Sequence, residues 1–98
     1  MVITYVNPVN RGSRKRRHMY DIIAEMLDNA MNGRLKTQIM SSTNLSFALF
    51  EKYLSFLLET ELLKESDNSI ENIYKTTGKG IKYLKCYYEI RNLLGNRV

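Results

Sequence analysis

One stretch of this chain abandons helical spacing, and it is flanked by helices on both sides. Leu62-Leu63-Lys64-Glu65, Ser66-Asp67-Asn68-Ser69 and Ile73-Tyr74-Lys75-Thr76 read in turn as strand, polar turn and strand, which is a β-hairpin. Before it, apolar residues fall at Met19, Ile22, Ile23, Met26, Leu27 and Ala30, the wide stripe of a helix laid on a core. Ser13 can cap that helix and Asn32-Gly33 ends it, so the spacing predicts helix over 14–31. Leu35, Ile39 and Met40 predict a short second helix, broken where Ser41, Ser42, Thr43 and Asn44 compete for the backbone. Ser46 can cap a third, with Phe50, Tyr53, Leu54, Leu57 and Leu58 facing inward to about Glu61. Beyond the hairpin, Thr77 caps a last helix through Gly78-Lys79-Gly80. It carries Ile81, Leu84, Tyr87, Tyr88, Arg91 and Leu94 and ends at Gly95.

Helix, short helix, helix, hairpin, helix is the order of a winged helix-turn-helix, where the second of the paired helices enters a DNA groove and the hairpin is the wing. The fold class expected is therefore mainly α with a β-hairpin wing, an α+β winged helix-turn-helix with a C-terminal dimerisation helix. Residues 1–12, with Pro8, Asn7, Asn10 and Gly12 and no period, read as a flexible basic arm, although Val2 to Val6 could pair as a short strand. Residues 13–76 form the winged domain and 77–98 the dimerisation helix.

A chain of 98 residues can bury one small core and no more. Its single cysteine, Cys86, makes no internal disulfide and has no partners for a protein-only metal site; it reads as a small buried or interfacial apolar group. Packing must hold the fold together, helped by a second copy. The last helix supports that expectation, since Ile81, Leu84, Tyr88, Ile90 and Leu94 span more than one face. Apolar runs such as Ala48 to Phe50 and Phe56 to Leu58 fall far short of the ~20 residues that span a membrane. Met1-Val2-Ile3 precedes the basic run Arg14-Lys15-Arg16-Arg17, the reverse of a secretory signal, so the chain is expected to stay inside the cell, in the cytoplasm.

Charge is unevenly distributed. Residues 1–20 hold Arg11 and the run Arg14 to Arg17 with no acid; residues 72–98 hold Lys75, Lys79, Lys82, Lys85, Arg91 and Arg97 against Glu89 alone. The stretch between them is acidic. Clustered Arg and Lys neutralise phosphates and release condensed counterions, so the basic ends suit a polyanion.

Tyr20-Asp21-Ile22-Ile23-Ala24-Glu25, Gly33-Arg34-Leu35-Lys36-Thr37-Gln38-Ile39-Met40, Asn44-Leu45-Ser46-Phe47 and Lys52-Tyr53-Leu54-Ser55-Phe56-Leu57 resemble blocks of archaeal winged-helix proteins of the ArnR-like class. The resemblance continues through Leu62-Leu63 and Tyr74-Lys75-Thr76-Thr77-Gly78-Lys79-Gly80, covering about residues 14–85. That class includes transcription regulators and small chromatin-type proteins whose last helix pairs with its twin as an antiparallel coiled coil. The resemblance implies a homodimer on double-stranded DNA. This chain departs from the class after the Asn-Leu-Ser turn, where Phe47, Ala48 and Leu49 stand in place of polar or basic residues.

Phosphate contacts are accordingly expected ahead of base reading. Arg14, Lys15, Arg16 and Arg17 can grip phosphates, or act only as a solubilising tail. Lys36, Thr37 and Gln38 open the second helix, where backbone amides favour an anion, though Thr37 can equally be a simple cap. Ser46, Phe47 and Lys52 lie on the groove helix, with Phe47 able to meet a thymine methyl. Lys64, Asn68 and Lys75 belong to the wing, among Glu65, Asp67 and Glu71. Ile81, Leu84, Tyr87, Tyr88, Arg91 and Leu94 are the candidate dimer seam. No paired carboxylates, Ser-His-Asp set or glycine-rich phosphate loop emerges, Gly78-Lys79-Gly80 lacking the rest of a Walker motif, and His18 beside four basic residues reads as a surface side chain. No enzyme, cofactor, metal or small-molecule ligand is expected. The competing reading is a winged helix that binds protein through Phe47-Ala48-Leu49.

Overall fold

The computed structural model describes residues 17–66 and 72–95. Its elements run α1 (Met19–Asn29), β1 (Arg34–Leu35), α2 (Lys36–Thr43), α3 (Phe47–Glu59), β2 (Leu63–Ser66), β3 (Ile73–Thr76) and α4 (Gly78–Leu93). This is the α+β winged-helix order read from the sequence, with the C-terminal helix present. Residues 1–16, including Ser13, the helix start expected at 14 and the possible strand at Val2 to Val6, lie outside the described residues; within them the helix begins at Met19, with His18 as its cap. The Asp21 carboxylate accepts the His18 backbone N–H at 3.1 Å, satisfying an amide at the helix start and placing a negative charge near its positive end.

The hairpin has a third partner. The two-residue strand β1 pairs antiparallel with β3, giving a three-stranded sheet of order β1-β3-β2. Gly33, at φ +88°, turns the chain from α1 into β1, a conformation glycine adopts without penalty. Thr76 then pins the sheet to α1: its hydroxyl donates to the Leu27 carbonyl at 2.6 Å and its N–H to the Ala30 carbonyl at 3.0 Å.

Local chemistry sets the helix ends. Helix α2 runs through Ser41, Ser42 and Thr43, where a break was expected. The buried Thr43 hydroxyl donates back to the Met40 carbonyl at 2.9 Å, and the turn comes one residue later at Asn44, which takes a left-handed φ of 60°. Ser46 caps α3, accepting the Leu49 N–H at 3.3 Å. That helix closes with Glu61 at φ 64°, while the Glu61 N–H donates to Leu58 and the Leu62 N–H to Leu57, a pair of bonds that satisfies its last carbonyls. Thr77 caps α4 by accepting the Gly80 N–H at 3.1 Å.

The core gathers Ile22, Ile23, Ala24, Met26, Leu27 and Ala30 of the α1 region, Ile39 of α2, Phe50, Leu54 and Leu57 of α3, and Leu62, Leu63 and Tyr74 of the sheet. Leu84 of α4 joins them at 6% exposure. Its assignment to a dimer seam is thereby corrected, because the chain's own core already covers it. Cys86, expected to be buried or interfacial, is exposed.

Candidate nucleic-acid interface

In this topology α2 and α3 form the helix-turn-helix, and the β2–β3 hairpin stands beside α3. Ser46, Ala48, Leu49, Lys52, Ser55, Phe56 and Glu59 of the α3 region are exposed, and Phe47 shows 62% of its surface. Ser46 is occupied as a cap, leaving Lys52 as the cation on that outer face. The wing adds two more. Lys64 and Lys75 are register partners across β2 and β3, and both are exposed. Among the described residues neither makes an ion pair. Asn68, at the tip, lies outside the described residues.

The other basic candidates are engaged by the protein itself. Arg17 binds the Glu25 carboxylate and donates to the Thr43 carbonyl at 2.8 Å, closing the C-terminal end of α2 onto the start of α1. Arg17, expected to grip phosphate or to solubilise, is thus engaged within the chain; Arg14, Lys15 and Arg16 lie outside the described residues. The Lys36 ammonium sits 2.6 Å from Glu51 on α3, and that adjacent carboxylate holds its pKa above the ordinary lysine value. The Gln38 side-chain oxygen accepts the Leu35 N–H at 2.9 Å, so it caps α2. Thr37 is exposed beside it. Sequence reasoning passed over Arg34, half-buried on β1 and paired in register with Tyr74. A two-residue strand has no period by which to be found.

The expected seam on α4 divides. Its inner side closes on α1: Tyr83 donates to the Tyr20 carbonyl at 2.8 Å, Tyr87 to Asp21, and Tyr88 to Asp28. Arg91 donates to the Tyr87 oxygen at 3.1 Å and stands 5.8 Å from that ring's centre. Tyr87 and Arg91, expected in the seam, thus make intramolecular bonds and are only partly exposed. Burial pushes the Tyr83 hydroxyl up to about 12, and the Asp28 carboxylate does the same for Tyr88. What α4 leaves bare lies toward its end, with Ile90 57%, Leu93 80% and Leu94 51% exposed; Ile81 and Tyr88 are partly exposed further up.

Among the described residues no group of His, Cys, Asp or Glu could hold a metal ion, and no helix is long and apolar enough to cross a membrane.

The sequence pattern of winged helix-turn-helix proteins matches residues 16–95. Two proteins of Methanocaldococcus jannaschii are similar. The uncharacterized protein MJ0287 is 29% identical over 92 residues, covering 93% of this chain and 91% of that one. The uncharacterized protein MJ0290 is 34% identical over 74 residues, 74% of this chain but 33% of its own length. Among solved structures, Sso10a-2, a DNA-binding protein from Sulfolobus solfataricus, superposes with a TM-score of 0.71 at 21% identity, over 82% of this chain and 84% of that one. At that identity the likeness is one of fold.

Proposed function

The chain belongs to the winged helix-turn-helix family, and from that premise we propose that it binds double-stranded DNA chiefly through phosphates, as a homodimeric transcription regulator or nucleoid-associated protein of the ArnR-like class. The observation that carries this reading is the lysine pair of the wing. Like charges directly opposite on antiparallel strands destabilise a hairpin. Lys64 and Lys75 stand so, exposed and without an ion pair among the described residues. A phosphate backbone lying across them removes that repulsion and releases counterions. Lys52 adds a contact from α3, and Thr37 and the basic run Arg14, Lys15 and Arg16 extend the contact along the strand. Phe47 and Ala48 offer apolar contact to sugars and thymine methyls without bidentate base reading, so stringency is low.

Two copies would meet through the end of α4, where Ile90, Leu93 and Leu94 are uncovered, with Ile81 and Tyr88 flanking them. A dimer doubles the basic surface presented to one duplex.

The test is an anisotropy titration on random-sequence duplex at several salt concentrations. Replacing Lys64 and Lys75 by Ala should weaken binding to all duplexes alike and flatten the slope of log affinity against log salt by about 0.9 per lost contact. Wild-type protein that fails to bind at low salt would favour the other reading, a protein-binding surface at Phe47, Ala48 and Leu49.

A further inference from the structure

Lys36 opens α2 at the side of the helix-turn-helix nearest the wing, where a phosphate is expected, yet its charge is already taken. Its ammonium is 2.6 Å from the Glu51 carboxylate, with both side chains about one-third exposed (38% and 33%). Glu65 on β2 adds a second negative field at the same lysine. The arrangement is local and specific. Lys52, one residue beyond Glu51, is exposed and makes no ion pair among the described residues, and the same is true of the wing lysines.

We propose that Glu51 is an internal competitor for phosphate, holding Lys36 in an ion pair that withholds one contact from DNA and so limits the affinity of the interface. The proposal rests on the DNA-binding reading above. Its physical basis is an exchange: a phosphate that takes Lys36 gains one charge-assisted contact but must displace another already formed. A partly exposed pair of this kind is modest in strength, so it tunes binding without abolishing it. Glu51 then leaves Lys36 as a reserve contact, used where a phosphate lies closely enough to replace the carboxylate. Because the pair also links α2 to α3, capture of Lys36 by DNA would loosen that link at the moment of binding.

The experiment is a double-mutant cycle read by the same titration. Glu51→Gln should raise affinity for random duplex about two- to fivefold and steepen the salt slope by about 0.9, one added phosphate contact. Lys36→Gln should change the wild-type protein little, yet remove the gain when made together with Glu51→Gln. Glu59→Gln, an equal charge change on the same helix, should leave the slope unaltered. Glu51→Asp keeps the charge but withdraws it by one methylene, and an intermediate gain is expected if Glu51→Gln proves poorly folded by circular dichroism. The idea is overturned if Glu51→Gln and Glu51→Asp both bind like wild type. It is equally overturned if Lys36→Gln weakens binding by the same factor with and without Glu51. Wild-type protein that binds no duplex at low salt would instead sink the DNA reading itself, a result distinct from an unchanged Glu51 variant.

Discussion

The side of α4 that meets α1 and the outer side of α3 with the wing treat their polar groups in opposite ways. Along α4, Tyr83, Tyr87 and Tyr88 each donate a hydroxyl to an acceptor on α1, and Arg91 completes the set over the Tyr87 ring. Across the molecule Lys52, Lys64 and Lys75 stand exposed with no ion pair among the described residues, beside an uncovered Phe47. Where the chain meets itself its donors are satisfied; where it is left incomplete, the cost is deferred to whatever lies there. Buried polar groups without partners are expensive and exposed ones are not, so an incomplete surface survives only if it stays wet or is covered by a partner.

The sharpest way to break this contrast is to put a charge on each side of α4. Leu84→Glu buries a carboxylate at a position 6% exposed, with no cation facing it in the apolar cluster, and should cost about 3–5 kcal/mol, close to the whole stability of a small domain. Leu93→Glu, at a position 80% exposed, should leave the thermal midpoint nearly unchanged and act on assembly instead. Sedimentation of the wild-type chain should give a dimer and of Leu93→Glu a species of 11.5 kDa. If the wild-type chain already sediments as that monomer, the end of α4 has no twin.

A smaller effect separates two glycines at the start of the same helix. A Cβ on Gly80 would lie 2.4 Å from the Leu62 carbonyl oxygen and 2.6 Å from the Thr76 methyl, whereas one on Gly78 meets nothing within 4 Å. The Leu62 carbonyl cannot yield easily, because it accepts the Thr77 N–H at the joint between hairpin and helix. Gly80→Ala should therefore lose about 2–3 kcal/mol in urea unfolding, while Gly78→Ala should be neutral or gain a few tenths from helix propensity. Equal effects at the two sites would show that α4 does not sit against Leu62 as closely as described.

These contrasts also mark what could be read before the fold was known. Ser46 and Thr77 were legible as caps because a hydroxyl and the amide three residues on are neighbours in sequence. The hairpin was legible for the same reason, its polar turn lying between its strands. Partners chosen by the tertiary fold were not. Periodicity shows that Leu84 needs covering without saying whether α1 or a second chain does it, and nothing near Lys36 in the sequence points to Glu51. Arg17 was hidden in the same way, read as one of four like residues when its bonds to Glu25 and Thr43 set it apart. The candidate site was thus visible as a set of basic residues, but which of them the protein keeps for itself is decided by the tertiary fold.

Alkaline pH gives the gentlest test, since it acts on the satisfied side alone when read against the right variant. Tyr83 and Tyr88 are both held protonated up to about 12, Tyr83 chiefly by burial and Tyr88 chiefly by its bond to Asp28. In the unfolded chain a tyrosine ionises near ~10. Below that value both states are protonated and the contribution of these bonds is fully present. Between about 10 and 12 the unfolded chain releases protons that the folded one retains, so it binds fewer, and stability falls as pH rises. The thermal midpoint should drop across this window, and replacing Tyr83 and Tyr88 by Phe should make the drop shallower by removing both groups. Lysines lose charge over the same range in either protein, so the difference between the two curves isolates the hydroxyls. Parallel curves would mean that these tyrosines are no better satisfied when folded than in water, and the distinction between the two sides of the molecule would then rest on packing alone.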